Sequence, residues 1–169
     1  MPELFSRTVK TPIGTLNILA TYCAIVSINL PNSNFFTATY RDTPLLKECR
    51  IQIHEYFTGQ RKKFSLPLAI HPDSFIHRAQ IALANIPYGK TISYTELARI
   101  AGNSRASRAA GTACAANPLP ILLPCHRVIH ANGTLGNYRG GSEIKLQLLE
   151  LEKHHCKNTF PSKNRGNSP

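Results

Sequence analysis

A cysteine, a histidine and an arginine stand side by side at Cys125-His126-Arg127, delivered by the apolar run Ile121-Leu122-Leu123 and by Pro124. The thiolate, not the thiol, attacks electrophiles, and a thiol of ordinary pKa (~8.5) needs a base, a cation or a helix N-terminus beside it to ionise near neutrality. His126 is such a base, able to take the proton directly or through water. The pair by itself equally describes a buried cysteine next to a loop histidine, so its meaning depends on what surrounds it. The other cysteines, at 23, 49, 114 and 156, bring the count to an odd five with no C-x-x-C spacing. That points away from a disulfide framework and from a zinc clip, and no metal or cofactor is expected.

The elements that must position this thiol fall into two halves. Phe5 to Val9 and Thr15 to Leu19 read as strands around the Thr11-Pro12-Ile13-Gly14 turn, with Ala24 to Leu30 as a third. Pro44 to Tyr56 places Leu45, Leu46, Cys49, Ile53 and Tyr56 at helical spacing, and Gly59 stops it. Residues 1–72 are thus expected to form an α/β domain, a small antiparallel sheet plus a helix. Leu66-Pro67-Leu68 and His71-Pro72 mark an extended link to a mainly helical domain over 73–153. There Ser74 to Ala84 reads as a helix, Thr95 can cap Glu96 to Ala101, and Gly102-Asn103-Ser104 turns into a helix from Arg105 to Ala116. Two short helices joined by a Gly-containing turn have helix-turn-helix spacing, here in a winged-like setting. Residues 154–169 are polar and basic without periodicity and are expected to be a mobile tail.

The chain of 169 residues carries twenty Lys and Arg against nine Asp and Glu, a net charge of +11, which implies an anionic partner and makes nucleic acid the first candidate. The excess leans to the second half: nine basic against five acidic side chains in residues 1–80, eleven against four in 81–169. Arg105 and Arg108 stand in the expected first turn of the helix-turn-helix's second helix, where the helix dipole disfavours cations. From Arg108 the positions Gly111, Thr112 and Ala115 form a face of small side chains, suited to close approach rather than to base-edge readout in a major groove. A narrow groove, shape-based contact and one arginine able to enter the base stack fit this face. No apolar run approaches the ~18 residues of a bilayer span, and the start MPELFSRTVK lacks a signal-peptide core. The protein is expected in the cytoplasm, or in the nucleus of a eukaryotic host, and as a monomer.

Asn117-Pro118-Leu119-Pro120-Ile121-Leu122-Leu123-Pro124-Cys125-His126-Arg127-Val128, with Gly136-Asn137-Tyr138-Arg139-Gly140-Gly141 downstream, closely resembles the active-site signature of the O6-alkylguanine-DNA alkyltransferases. The resemblance runs from about Phe75 to Glu152 and includes Ile92-Ser93-Tyr94 and Ser107-Arg108-Ala109-Ala110-Gly111. It implies direct-reversal DNA repair: Cys125 would take the alkyl group from O6 of a damaged guanine in double-stranded DNA, with O4-alkylthymine a second candidate, and each molecule would act once. His126 would be the water-bridged base and Glu152 its orienting carboxylate. Helix periodicity agrees independently, because Ile144, Leu148 and Leu151 form one stripe and Glu152 lies about 70° from its centre, whereas Glu150 points away. Tyr94 would donate a proton to the departing guanine, a task suited to a phenol of pKa near 10 or lower. Arg108 would fill the gap left by the extruded base, bound from the minor groove. Asn117 would tie the recognition helix to the active-site segment, and the carbonyls of Cys125 and Val128 would read the guanine amino group.

Some positions depart from the family pattern. Arg139 stands where a serine is common and is expected to meet phosphate. Thr112, Cys114 and Ala115 replace Gly, Met and Arg, so DNA affinity would rest on Arg105, Lys90, Arg127 and Arg139. Tyr138 and Arg139 would border the alkyl pocket. Of the zinc ligands found in some members only Cys23 and His71 fall near equivalent places, too few for a four-coordinate site. Alkyltransferase-like lesion-binding proteins, the alternative within this fold, lack the acceptor cysteine that Cys125 supplies. A cysteine hydrolase would turn over with its thiol free, and a helix-turn-helix regulator would not depend on Cys125.

Overall fold

The computed structural model describes residues 2–34 and 38–158. Alternation of apolar and polar side chains builds a hairpin from β1 (Phe5–Thr11) and β2 (Gly14–Ala20), and β3 (Ile25–Asn29) continues the antiparallel meander. A two-residue strand β4 (Thr39–Tyr40), which the sequence pattern does not announce, pairs in parallel with β1 and completes the order β3-β2-β1-β4. Helix α1 (Pro44–Phe57) covers the sheet; the Thr43 hydroxyl accepts from Leu46 N at 3.2 Å, and Pro44 sits where the missing N–H costs nothing. Its buried face runs through Leu46, Cys49, Ile53 and Tyr56, as the helical spacing predicts.

The exposed edge of β3 is where the two halves are sewn together. Ile25 N donates to Pro67 O and Ala69 N to Ile25 O, both at 2.8 Å, so the extended link lies along this edge, and Ile28 N donates to Pro118 O at 2.9 Å. The sheet edge therefore braces the segment that leads to Cys125. One continuous apolar core joins Phe5, Ile18, Ile53 and Tyr56 to Leu97, Leu119, Leu123, Cys125, Val128 and Leu148.

In the second half α2 (Phe75–Ala82), α3 (Tyr94–Ile100) and α4 (Ser107–Ala115) pack through Ala79, Ala101 and Ala113, whose small side chains bring the helices close, and Gln80 Nε2 donates to Ala113 O at 3.1 Å. The cap of α3 is Ser93, whose hydroxyl accepts from Glu96 N at 3.1 Å, so Thr95 lies inside the helix rather than before it. Helix α4 starts two residues later than expected; Arg105 stays in the preceding turn, its N–H on Asn103 Oδ1, and only Arg108 lies in the first helical turn. A parallel pair, β5 (Ile92–Ser93) and β6 (Val128–Ile129), sets the start of α3 beside the Cys125 segment.

Helix α5 (Ser142–Asn158) corrects the expected tail. The helix carries on through residues 154–158, because His155 and Cys156 extend its inward face: Tyr88 Oη and His155 Nδ1 are 3.1 Å apart, and the Cys156 thiol packs against Gly89. The remainder of the expected tail, 159–169, lies outside the described residues.

Candidate active site

Cys125 is carried by a tight irregular loop and a single 3-10 turn, Cys125–Arg127. Asn117, fully buried, organises the loop: its N–H donates to Cys114 O at 3.3 Å, its Nδ2 to Leu123 O at 2.7 Å, and its Oδ1 accepts from Leu119 N at 3.0 Å. The end of α4 and the approach to Cys125 are thus tied through one side chain. Ile121 has φ +75°, the one left-handed non-glycine residue among those described. For a β-branched residue that conformation costs on the order of 1–3 kcal/mol, and it is held by Leu123 N on Leu119 O and by burial of the isoleucine side chain.

The thiol is 3 % exposed. Burial pushes its pKa up; a hydrogen bond from the Asn117 side chain, the charge of Lys145 and, more weakly, that of Arg139 pull the other way. Lys145 is a residue the sequence reading missed. It is buried on α5 between Ile144 and Leu148, and its Nζ donates to Val128 O at 2.7 Å. At ~100° per residue Lys145 shares the helical phase of Glu152 on the flank of the apolar stripe, but the carbonyl that makes its burial tolerable lies on another segment. The bond also occupies one lone pair of the Val128 carbonyl.

His126 and Glu152 are both completely buried, with Nε2 2.7 Å from Oε1. Burial lowers the imidazole pKa and outweighs the attraction of the carboxylate, so the ring is neutral, with its proton on Nε2 and its lone pair on Nδ1. Nδ1 is buried and makes no hydrogen bond within the protein. Desolvation would raise Glu152, yet the donors around it win and hold it at about 2. Those donors are His126; Arg127, through Nε at 3.0 Å to Oε2 and Nη2 at 2.9 Å to Oε1; Gly89 N at 2.9 Å to Oε2; and the Tyr56 hydroxyl at 2.7 Å to Oε1. Gly89 can approach so closely because it has φ +74° and no Cβ, in a position where the Cys156 sulfur leaves no room for one.

Arg127 is therefore not a DNA-facing cation. It is 4 % exposed, its third arm donates to Ile86 O at 2.6 Å, and its charge is consumed by Glu152. The 3-10 turn aims it at α5, and an arginine so buried needs that carboxylate.

Tyr94, half-buried at the start of α3, lies within electrostatic reach of the same thiol. Burial, with the neighbouring Cys114 and Cys125, raises its pKa above the ordinary phenol value rather than leaving it near 10, so it holds its proton as a donor. Its ring passes Gly111 of α4 at 3.9 Å from the position a Cβ would take, and stacks at a tilt on His130, with centroids 5.2 Å apart. Gly136, at φ +71°, comes so near that a Cβ would stand 2.5 Å from the Tyr94 hydroxyl. Tyr94, Arg108, Gly111, Ala115, His130 and Asn137 border an open groove of about 470 Å³. Arg105, Arg108, Thr112, Ala115 and Arg139 are exposed, while the Tyr138 hydroxyl is buried without a protein partner. Cys125, His126, Glu152, Asn117 and Val128 are thus brought together with Tyr94 at one edge, Arg105, Arg108, Thr112 and Ala115 lie on the outer face, and Arg127 has moved from the second group to the first.

Comparison with known proteins gives these features a context. Residues 4–70 match the family model for the ribonuclease-like domain of 6-O-methylguanine DNA methyltransferase, and residues 74–154 that for its DNA-binding domain. The chain is 39% identical over 157 residues to the constitutive methylated-DNA--protein-cysteine methyltransferase of Bacillus subtilis, covering 88% of this chain and 95% of that protein. It is 40% identical over 156 residues to the methylated-DNA--protein-cysteine methyltransferase of Mycobacterium leprae, covering 88% and 92%. The crystal structure of Mycobacterium tuberculosis OGT in complex with DNA superposes with a TM-score of 0.82 at 36% identity, over 89% of this chain and 94% of that one. The two matches cover the sheet-plus-helix half and the helical half in turn, and the chain belongs to the 6-O-methylguanine DNA methyltransferase family.

Proposed function

We propose that this protein repairs alkylated DNA by direct reversal, moving the alkyl group from O6 of guanine onto Cys125 in a single irreversible turnover. The observation that carries the reading is the buried His126–Glu152 pair, adjoining Cys125 in the chain, together with an open groove bordered by Tyr94 and α4. A neutral imidazole with its proton committed to Glu152 keeps Nδ1 as the acceptor for the thiol proton, directly or through water. As the sulfur–carbon bond forms and the carbon–O6 bond breaks, negative charge appears on the purine, and the Tyr94 hydroxyl supplies the proton that neutralises it. Lys145 and Asn117 oppose the burial penalty on the thiolate until it reacts. The Cys125 and Val128 carbonyls would accept from the guanine amino group, and Tyr138 and Arg139 would border the alkyl group.

The partner is double-stranded DNA, docked through the small-residue face of α4 in the minor groove, with Arg108 taking the place of the extruded nucleotide. Arg105 and Arg139, both exposed, would meet phosphates, and the net charge of +11 would make binding fall with salt. The reading has the protein act as a monomer, in the cytoplasm or a nucleus. No helix among the described residues is long and apolar enough to cross a membrane.

Stoichiometry tests the reaction. Intact mass spectrometry after incubation with excess O6-methylguanine duplex should show one added methyl, about 14 Da, on the peptide containing Cys125, with the guanine restored; repeated turnover without adduct would refute it. The Arg108 role is tested separately. Arg108→Ala should slow transfer from duplex DNA by about 30-fold or more, and transfer from free O6-benzylguanine by less than about 3-fold, since only the duplex requires unstacking. Equal losses on both substrates would remove the finger role.

A further inference from the structure

Among the donors gathered on Glu152, one comes from the other half of the molecule. Tyr56, on the inner face of α1, is fully buried and donates to Glu152 Oε1 at 2.7 Å. Its oxygen lies 3.5 Å from His126 Nε2, which donates to that same Oε1, also at 2.7 Å. The ring is fixed by edge-on packing against Phe57 and Tyr88, with centroids 5.1 and 5.7 Å away, and by tilted packing on Phe64 at 5.6 Å. Phenylalanine would fill this space equally well, so packing does not explain the hydroxyl. The hydroxyl has one proton, and it is committed to the carboxylate that orients the base.

We propose that Tyr56 is a positioning residue for alkyl transfer: its phenolic proton on Glu152 Oε1 keeps His126 neutral, with a proton on Nε2 and a free lone pair on Nδ1, so that the N-terminal domain forms part of the catalytic relay. The proposal rests on the reading of Cys125 as alkyl acceptor.

Tyr56, His126 and Arg127 Nη2 all donate to Oε1, and each weakens the pull that the oxygen exerts on the others' protons. Removing the phenol would leave Oε1 more basic toward His126, and the imidazolium would become easier to form. The ionisable groups around His126 are Glu152 and Lys145 from α5, Arg127 beside it and Tyr56 from α1, with Tyr88 facing Tyr56. Lys145 and Arg127 also oppose a charged ring, and Glu152 alone favours it. Burial first, and then the charge of Glu152, hold the phenol protonated far above neutral pH, so it acts as a donor throughout the working range. The contact at 3.5 Å to Nε2 is at the limit of a hydrogen bond and weaker than the 2.7 Å bond to Oε1.

The test uses the full chain with Tyr56→Phe, and in parallel with 3-fluorotyrosine, a stronger donor, placed at position 56 alone. The His126 ring is titrated by nitrogen-15 NMR, and single-turnover transfer from O6-methylguanine duplex to Cys125 is followed from pH 5 to pH 9. Tyr56→Phe should move the His126 midpoint and the acid limb of the transfer rate upward together by about half to one pH unit, slowing transfer at pH 6 by about 3- to 10-fold and at pH 8.5 by less than about 2-fold. Fluorotyrosine should move both downward. Loss of a purely structural hydrogen bond would lower stability while leaving midpoint and limb in place, and that result overturns the proposal. Should Tyr56→Phe fail to fold, the fluorotyrosine protein decides by the same criterion. A His126 midpoint that shifts in a protein whose Cys125 takes no alkyl group would instead refute the repair reading while leaving the coupling of Tyr56 to the relay intact.

Discussion

Cys125→Ser is expected to bind lesion-containing duplex and gain no mass from it. The serine hydroxyl is far less acidic than a thiol, and the base available to it is an imidazole whose own pKa is lowered by burial. Even the thiol is pushed up by its surroundings and depends on Asn117 and Lys145 to offset that burden. An alkoxide, a harder and more strongly solvated anion, would need more help than these groups supply. Because Cys125 is 3 % exposed, removing sulfur should change DNA affinity by no more than about 3-fold. Binding measured by fluorescence anisotropy beside intact mass separates the two effects. An adduct found on Cys114, whose thiol interacts electrostatically with that of Cys125, would move the acceptor and sink the assignment.

Glu152→Gln should be the most destabilising isosteric change in the site, and its effect should depend on pH in a defined direction. The carboxylate is held at about 2, below its ordinary 4.5. Its folded pKa being depressed, the stability it contributes, about 3 kcal/mol, is fully present above pH 4.5 and is lost as pH falls toward 2. His126 adds to the same trend, because its folded pKa is lowered too: below the unfolded value of about 6.5 the unfolded chain takes up the proton that the folded ring refuses. At pH 7 the glutamine protein should be about 3–5 kcal/mol less stable, since the buried Arg127 guanidinium loses its counter-charge. Denaturant unfolding at pH 7 and near pH 2.5 should show that difference shrinking toward zero at the acid end. A pH-independent difference would mean that shape, not charge, was lost. Transfer to Cys125 should fall by about 100-fold or more, because a neutral amide holds the Nε2 proton less strongly and lacks the charge that stabilises an imidazolium.

The site's outline was legible because its residues are close in sequence or in helical phase. Pro124-Cys125-His126 is contiguous, Arg108, Gly111 and Ala115 share a face of α4, and one helical stripe was enough to select Glu152 over Glu150. The same periodicity placed Tyr56 on the buried side of α1 and could go no further, for it states which way a side chain points and not what it meets. Arg127 was assigned to DNA and Lys145 was overlooked for one reason: a charged side chain belongs in water unless a partner offsets its desolvation, and the partners here, Glu152 and the Val128 carbonyl, lie 25 and 17 residues away along the chain. Likewise residues 154–158 read as a tail because nothing local reveals that Tyr88 and Gly89 will pack against them.

Local spacing and chemistry therefore marked Cys125 and His126 as a candidate nucleophile and base, to which the family resemblance gave a role, and outlined the turn before α4 and the two-part architecture. The tertiary structure decided the hydrogen-bond economy of Glu152: four residues, 25 to 96 positions away along the chain, converge on one carboxylate from α1, the Gly89 turn and the 3-10 turn, and burying ions is tolerable only when such distant groups arrive together.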